Sequence, residues 1–236
     1  MDTRTSWQAG EAKVVQVPAD DVVLEGNLDI PLGARGIVLF AHGSGSSRHS
    51  TRNRFVAEQL RAGGLATLLI DLLTGDEEAI DLQTSELRFD IDLLARRVVG
   101  ATDWLATQPA TRGLLLGYFG ASTGAAAALV AAAERVDAVG AVVSRGGRPE
   151  LAGLALPRVR APTLLIVGGN DYPVIGMNRD ALQYMSCERS LEVVPGATHL
   201  FEEAGALEKV ARLARDWFVR YLQPSAEQHA LGQAGP

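Results

Sequence analysis

The sequence predicts an α/β domain, a mostly parallel β-sheet with helices on both of its faces. Three observations carry that prediction. Short apolar runs recur along the chain after an initial pair of β-rich segments, helix-period segments separate them, and the turns draw on 25 glycines in 236 residues. A continuous apolar run is what a parallel strand looks like when helices cover both of its faces. Strand and helix alternation then gives a parallel sheet with right-handed crossovers.

In chain order, Val14–Val17 and Val22–Ile30 read as an antiparallel β pair. Gly36–Ala41 (GIVLFA) is the first fully apolar strand, followed by a helix over Arg52–Ala62 and the strand Ala66–Ile70 (ATLLI). Ser85–Ala106 reads as one long helix, because Leu87, Ile91, Leu94, Val98 and Leu105 recur at three- and four-residue steps or multiples of them. The strand Gly113–Phe119 (GLLLGYF) leads into an Ala-rich helix over Ser122–Glu134. Ala138–Val143 (AVGAVV) and Thr163–Val167 (TLLIV) are the next strands, and Gly176–Met185 the next helix. Ser190–Val194 (SLEVV) closes the sheet, and Ala206–Leu222 closes the domain with Val210, Leu213, Trp217 and Tyr221 on one face. Residues 1–222 form one domain on this reading, and the polar, Gly/Ala-rich residues 223–236 a loose tail.

Composition narrows the function classes. A net charge of -6, with 22 basic against 28 acidic residues and no long basic run, leaves no footprint for nucleic acid or an anionic membrane. The single cysteine, Cys187, excludes an internal disulfide framework and a multi-cysteine metal site. Met1 to Lys13 holds no apolar core of a secretory signal, and no stretch approaches the roughly 20 apolar residues of a membrane span, so a cytoplasmic protein is expected.

In a sheet of this kind ligands bind beyond the carboxyl ends of the strands. After Gly113–Phe119 comes Gly120-Ala121-Ser122-Thr123-Gly124, a G-x-S-x-G between strand and helix. A serine on so sharp a turn is strained and its Oγ stands clear of the sheet, while glycines on both sides relieve collisions. After Gly36–Ala41 comes His42-Gly43-Ser44-Gly45-Ser46-Ser47, whose N–H groups, Ser44 above all, would join that of Thr123 in an oxyanion hole. A phosphate cradle and a plain turn are the alternatives there, although Arg48 stands where a third phosphate-loop glycine belongs. His42 reads as a buttress of the loop. Asp171 follows the Thr163 strand and His199 follows the Ser190 strand; the other histidines, His49 and His229, fall in a polar segment and the tail. Nucleophile, acid and base in the order Ser122, Asp171, His199, each at a strand end, is the order of the α/β-hydrolase fold.

The chain resembles the dienelactone hydrolase family of α/β-hydrolases from about Lys13 to Leu222. The segments that carry the likeness are FAHGSGSSRHS (Phe40–Ser50), LLIDLLTGDE (Leu68–Glu77), GYFGASTGAAAAL (Gly117–Leu129), VSRGGRPELAG (Val143–Gly153), LLIVGGND (Leu164–Asp171) and VPGATHLFEE (Val194–Glu203). The resemblance implies hydrolysis of a small-molecule ester or lactone, with no metal or organic cofactor. Its namesakes use a cysteine nucleophile where this chain has Ser122, which points from dienelactone toward carboxylic esters generally. Thioesterase and acyltransferase chemistry use the same three residues, and a non-catalytic ligand-binding member of the fold is the reading from another class. A lid in this fold enters after the sixth strand, and residues 144–162 are too short for a large one. Small or exposed esters are therefore expected, with Gly43 and Arg145 as substrate contacts. Arg145 and Arg148 lie where an anionic substrate group would reach, with a structural or solvated role as the alternative.

Overall fold

A computed structural model describes residues 13–223, so the tail read from 223 onward and the N-terminal segment lie almost wholly outside the described residues. Eight strands form one sheet: β1 (Lys13–Ala19), β2 (Val22–Asp29), β3 (Gly36–Ala41), β4 (Ala66–Ile70), β5 (Leu115–Ala121), β6 (Val139–Arg145), β7 (Thr163–Gly168) and β8 (Arg189–Val194). Their order across the sheet is β1-β2-β4-β3-β5-β6-β7-β8. β2 runs antiparallel to β1 and β4, and every other pairing is parallel. The topological switch lies at β3, flanked by β4 and β5, so the loops leaving β3 and β5 rise side by side at the carboxyl edge.

The helices are α1 (Thr51–Ala62), α2 (Gly75–Thr84), α3 (Ile91–Thr107), α4 (Thr123–Glu134), α5 (Tyr172–Tyr184) and α6 (Ala206–Tyr221). Short 3-10 segments cover Leu87–Phe89 and Pro149–Arg158. α1 and α6 cover one face, where Val56, Leu60, Val210 and Phe218 pack on Val38, Phe40 and Phe119. α3 and α4 cover the other with Leu94, Val98, Leu129 and Ala132 against Leu39, Leu68 and Tyr118. The central strands therefore bury both faces, as their unbroken apolar runs require, with β3, β4 and β7 buried at every residue, whereas β1 and β2 at the sheet edge alternate buried and exposed positions.

Two expectations need correction. Ser85–Ala106 is not one helix. Asp90 caps a new helix by accepting from the Leu93 N–H at 2.9 Å, and Leu87 belongs to the 3-10 turn before it. In front of that turn stands the unexpected α2. Its start is a reciprocal cap: Glu77 N–H donates to Thr74 Oγ1 at 3.2 Å while Thr74 N–H donates to Glu77 Oε2 at 2.8 Å. The Ala-rich helix begins at Thr123, leaving Ser122 outside it as the N-cap. Between β6 and β7 the chain holds the 3-10 segment and nothing larger.

Candidate active site

Ser122 has φ 50° and ψ -120°, a conformation that L-residues rarely adopt. Close packing on both sides fixes it there. A Cβ on Gly120 would fall 2.4 Å from Ala125 Cα, and one on Gly124 would fall 2.3 Å from the carbonyl oxygens of Ala41 and His42. Glycine at both positions lets β5 turn into α4 while α4 lies directly on the end of β3. The elbow is tied from below as well, since Ser122 N–H donates to Arg145 O at 3.3 Å and Ser122 O accepts from Arg148 N–H at 3.1 Å.

His199 arrives from the β8–α6 loop. A Cβ on Gly168 would lie 2.5 Å from the carbonyl oxygens of Ala197 and Thr198, so the glycine ending β7 permits that loop to cross it. Glu203 secures the loop by accepting from the Thr198 N–H at 3.0 Å, a bond that lowers the Glu203 pKa. The crossing brings His199 Nδ1 to 2.7 Å from Asp171 Oδ2. An ionised carboxylate only accepts, so Nδ1 carries the proton and Nε2 is the lone-pair nitrogen. The Asp171 side chain is 13% exposed and His199 40%, so the acid is sheltered and the ring reaches the surface.

Ser122 and His199 line one cleft together with Gly43, Ser44, Ser46, Ser50, Arg52, Ala121, Arg145 and Leu200. Its volume is about 240 Å³. That falls just under the roughly 300 to 1,000 Å³ of sites that engulf drug-sized ligands. Gly43 belongs there because a Cβ would come within 3.0 Å of Ala121 O and Ser122 Cβ. Ser44 and Thr123 do meet, though not as independent donors: Ser44 N–H donates to Thr123 Oγ1 at 3.0 Å. Thr123 N–H sits in the first turn of α4, where no intrahelical acceptor exists.

His42 is a buttress, as its position suggested. Its Nε2 accepts from the Leu72 N–H at 3.0 Å and Nδ1 donates to Gly43 O at 2.9 Å, tying the β3 loop to the β4 loop. Burial holds its pKa below the usual histidine value. Arg48, which stands where a phosphate loop would need glycine, clamps the same loop onto Asp71 and Glu25. Arg145 reaches the cleft, whereas Arg148 pairs with the neighbouring Glu150. Arg52 and Asn53, at the start of α1, are part of this neighbourhood without having stood out in the sequence; Asn53 Oδ1 accepts from Arg145 at 3.2 Å. Among the described residues no cluster of His, Cys, Asp and Glu could hold a metal ion, and no helix is long and apolar enough to cross a membrane.

The β2-antiparallel, otherwise parallel sheet with its serine elbow defines an α/β-hydrolase-fold protein. The sequence pattern of the dienelactone hydrolase family matches residues 24–224, and the chain belongs to that family. A crystal structure of a dienelactone hydrolase from Anabaena variabilis is 64% identical, superposes with a TM-score of 0.90, and is matched over 92% of this chain and all of that one. Est1E from Butyrivibrio proteoclasticus shares the fold at 15% identity and a TM-score of 0.74, over 88% of this chain and 98% of its own. Two Mycobacterium tuberculosis proteins, provisionally named phosphoribosyl transferases, are 60% identical over 208 residues. That match covers 88% of this chain but 46% of theirs, so the chain spans about half the length of these curated relatives.

Proposed function

We propose that this protein is a carboxylic-ester hydrolase in which Ser122 is the nucleophile, His199 the base and Asp171 its orienting partner. The observation that supports this most directly is the 2.7 Å Nδ1–H bond from His199 to Asp171. It leaves Nε2 as the lone-pair nitrogen of a residue that lines the same cleft as Ser122. His199 Nε2 takes the Ser122 proton as Oγ attacks the ester carbonyl, and the sheltered Asp171 carboxylate stabilises the imidazolium that forms. The same proton then goes to the leaving alcohol. Water, deprotonated by the freed imidazole, attacks the acyl-serine and releases the acid. Thr123 N–H and Ser44 N–H are the donors for the oxyanion, and the substrate oxygen takes the place that Thr123 Oγ1 holds on Ser44.

Lactones enter as a substrate subclass through the name of the 64% identical Anabaena variabilis protein. The transferase name belongs to proteins of which this chain spans 46%, and the esterase reading concerns the shared part alone. The test is twofold. A fluorophosphonate should add to Ser122, read by intact mass and peptide mapping, and Ser122→Ala should lower p-nitrophenyl ester hydrolysis by at least about 10³-fold while keeping the fold. Wild-type turnover by Ser122→Ala, or an unlabelled Ser122, overturns it.

A further inference from the structure

Residues 145–148, at the end of β6 and just beyond it, bear on Ser122 and His199 at once and on the helix that Asp171 begins. Arg145 O accepts from the Ser122 N–H at 3.3 Å, and Arg148 N–H donates to Ser122 O at 3.1 Å. Gly146, with φ 51°, lies against the His199 ring: a Cβ there would come 3.2 Å from His199 O, 3.4 Å from Cε1 and 3.5 Å from Nδ1. Its N–H is fixed on Ile166 O of β7 at 2.8 Å. Gly147 is wedged against α4, where a Cβ would fall 1.9 Å from Ser144 Oγ and 2.7 Å from Ala125 Cβ.

One side chain holds this segment from α5. Asn178 lies two turns along from Asp171, the N-cap of that helix, and is fully buried. Its Nδ2 donates to Gly147 O at 3.0 Å and to Val174 O at 2.8 Å, while Oδ1 is buried without a hydrogen-bond partner. Among the described residues nothing else donates to Gly147 O. An apolar side chain of similar size would therefore trade one orphaned oxygen, Oδ1, for another, Gly147 O, so fold stability alone gives little preference for the amide. What the amide supplies is a fixed position for Gly147, and through it for Gly146 beside the imidazole.

We propose that residues 145–148 form a strap, drawn onto α5 by Asn178, that sets the orientation of the His199 ring for proton transfer, which makes Asn178 a positioning residue of the reaction. The inference rests on ester hydrolysis by Ser122 and His199. Asp171 fixes the imidazole at Nδ1 alone, and one hydrogen bond leaves a ring that is 40% exposed free to swing about it. Gly146 closes that freedom from the side. Helix α5 thus restrains the histidine twice, directly through Asp171 and through Gly147 by way of Asn178. A misplacement of about 1 Å at a reacting atom costs about 10²-fold in rate, so a small slackening of the strap is visible in turnover.

Hydrolysis of p-nitrophenyl acetate tests it. Asn178→Ala should lower kcat at least about tenfold with KM within about threefold of wild type, at a temperature where circular dichroism shows the fold intact. Val98→Ala, which removes buried volume from α3, should keep kcat within about twofold, since lost packing alone does not turn the ring. A second readout needs no turnover. In Ser122→Ala, the His199 Nδ1 proton, assigned in NMR spectra by its loss in His199→Gln, should exchange with water at least about tenfold faster once Asn178→Ala is added. The His42 Nδ1 proton, bonded to Gly43 O, should exchange as before. If Asn178→Ala does not fold, Gly146→Ala, whose Cβ would meet the ring at 3.4 Å, should show the same loss of kcat and the same faster exchange. Wild-type kcat and exchange in Asn178→Ala or Gly146→Ala, or an equal loss of kcat in Val98→Ala, overturns the strap. Faster exchange in the variants of a protein that hydrolyses no ester and takes no fluorophosphonate keeps the strap and sinks the hydrolase reading; ester hydrolysis untouched by either substitution does the reverse.

Discussion

Ser122 occupies φ 50°, ψ -120° although nothing in its own side chain favours that geometry. Backbone held in so sparse a region costs about 1–3 kcal/mol, offset by the packing of Gly120 on Ala125 and Gly124 on Ala41. Glycine would relieve part of the strain. Ser122→Gly is accordingly expected to unfold at a higher urea midpoint than wild type, with an unfolding free energy roughly 1 kcal/mol larger, while losing ester hydrolysis. A lower midpoint for Ser122→Gly than for Ser122→Ala would show that the elbow is unstrained. The placement of Ser122, Asp171 and His199 was legible in the sequence because each follows an apolar strand, and this topology gathers the loops after its strands at one edge of the sheet. Arg52 and Asn53 were not. Arg145, whose guanidinium donates to Asn53 Oδ1, is 92 positions away from it, and no local pattern in the sequence marks that meeting.

At the level of elements, helix α4 depends on contact without side chains. A Cβ at Gly124 would meet backbone oxygens at 2.3 Å, which cannot rotate aside as a flexible side chain would. Gly124→Ala should therefore push α4 off the end of β3 and destabilise the protein by about 3 kcal/mol or more in urea unfolding. Gly75→Ala, where a Cβ would meet nothing within 4 Å, is the matched control and should change little. Buried strands were legible to within two residues, β3 and β4 at both ends, while β5 runs Leu115–Ala121 instead of the expected Gly113–Phe119 because its last two residues, Gly120 and Ala121, pair with β6 before the elbow. The α2–α3 region was not. Apolar periodicity ran through Leu87 to Leu105 without a break, and the breaking signals are polar: the Thr74–Glu77 cap and the Asp90 cap. α2 buries Asp81 alone among its residues, so it leaves no hydrophobic face for periodicity to detect.

Across the whole molecule, the two cores on either face of the sheet meet the cleft through loops that His42 ties together, and this gives folding stability a pH dependence. Burial holds the His42 pKa below the 6.5 of an unfolded histidine. Below that value the unfolded chain binds a proton that the folded chain refuses, so stability is full above about pH 6.5 and falls as the medium becomes more acid. Protonation would also remove Nε2 as the acceptor for Leu72 N–H and set a charge in a site 9% exposed. The carboxylates with lowered pKa, Asp21, Asp81, Asp103 and Glu203, act in a separate window. Their contribution is present above their unfolded values of 3.8 and 4.5 and is lost as pH falls through the lower folded ones. Between pH 6.5 and 5 the difference between wild type and His42→Gln therefore isolates one group. The variant should be less stable at pH 8 by about 1–3 kcal/mol, from the imperfectly replaced bonds to Leu72 and Gly43. Its unfolding free energy should then fall less steeply than that of wild type below pH 6.5, by at most about 1.4 kcal/mol per pH unit, the limit for one proton. Urea titrations at half-unit steps measure both curves, and the remaining histidines contribute alike to each. Parallel curves would mean that His42 takes up its proton in the folded state as easily as in the unfolded one, and that the β3 loop is not held by a neutral imidazole.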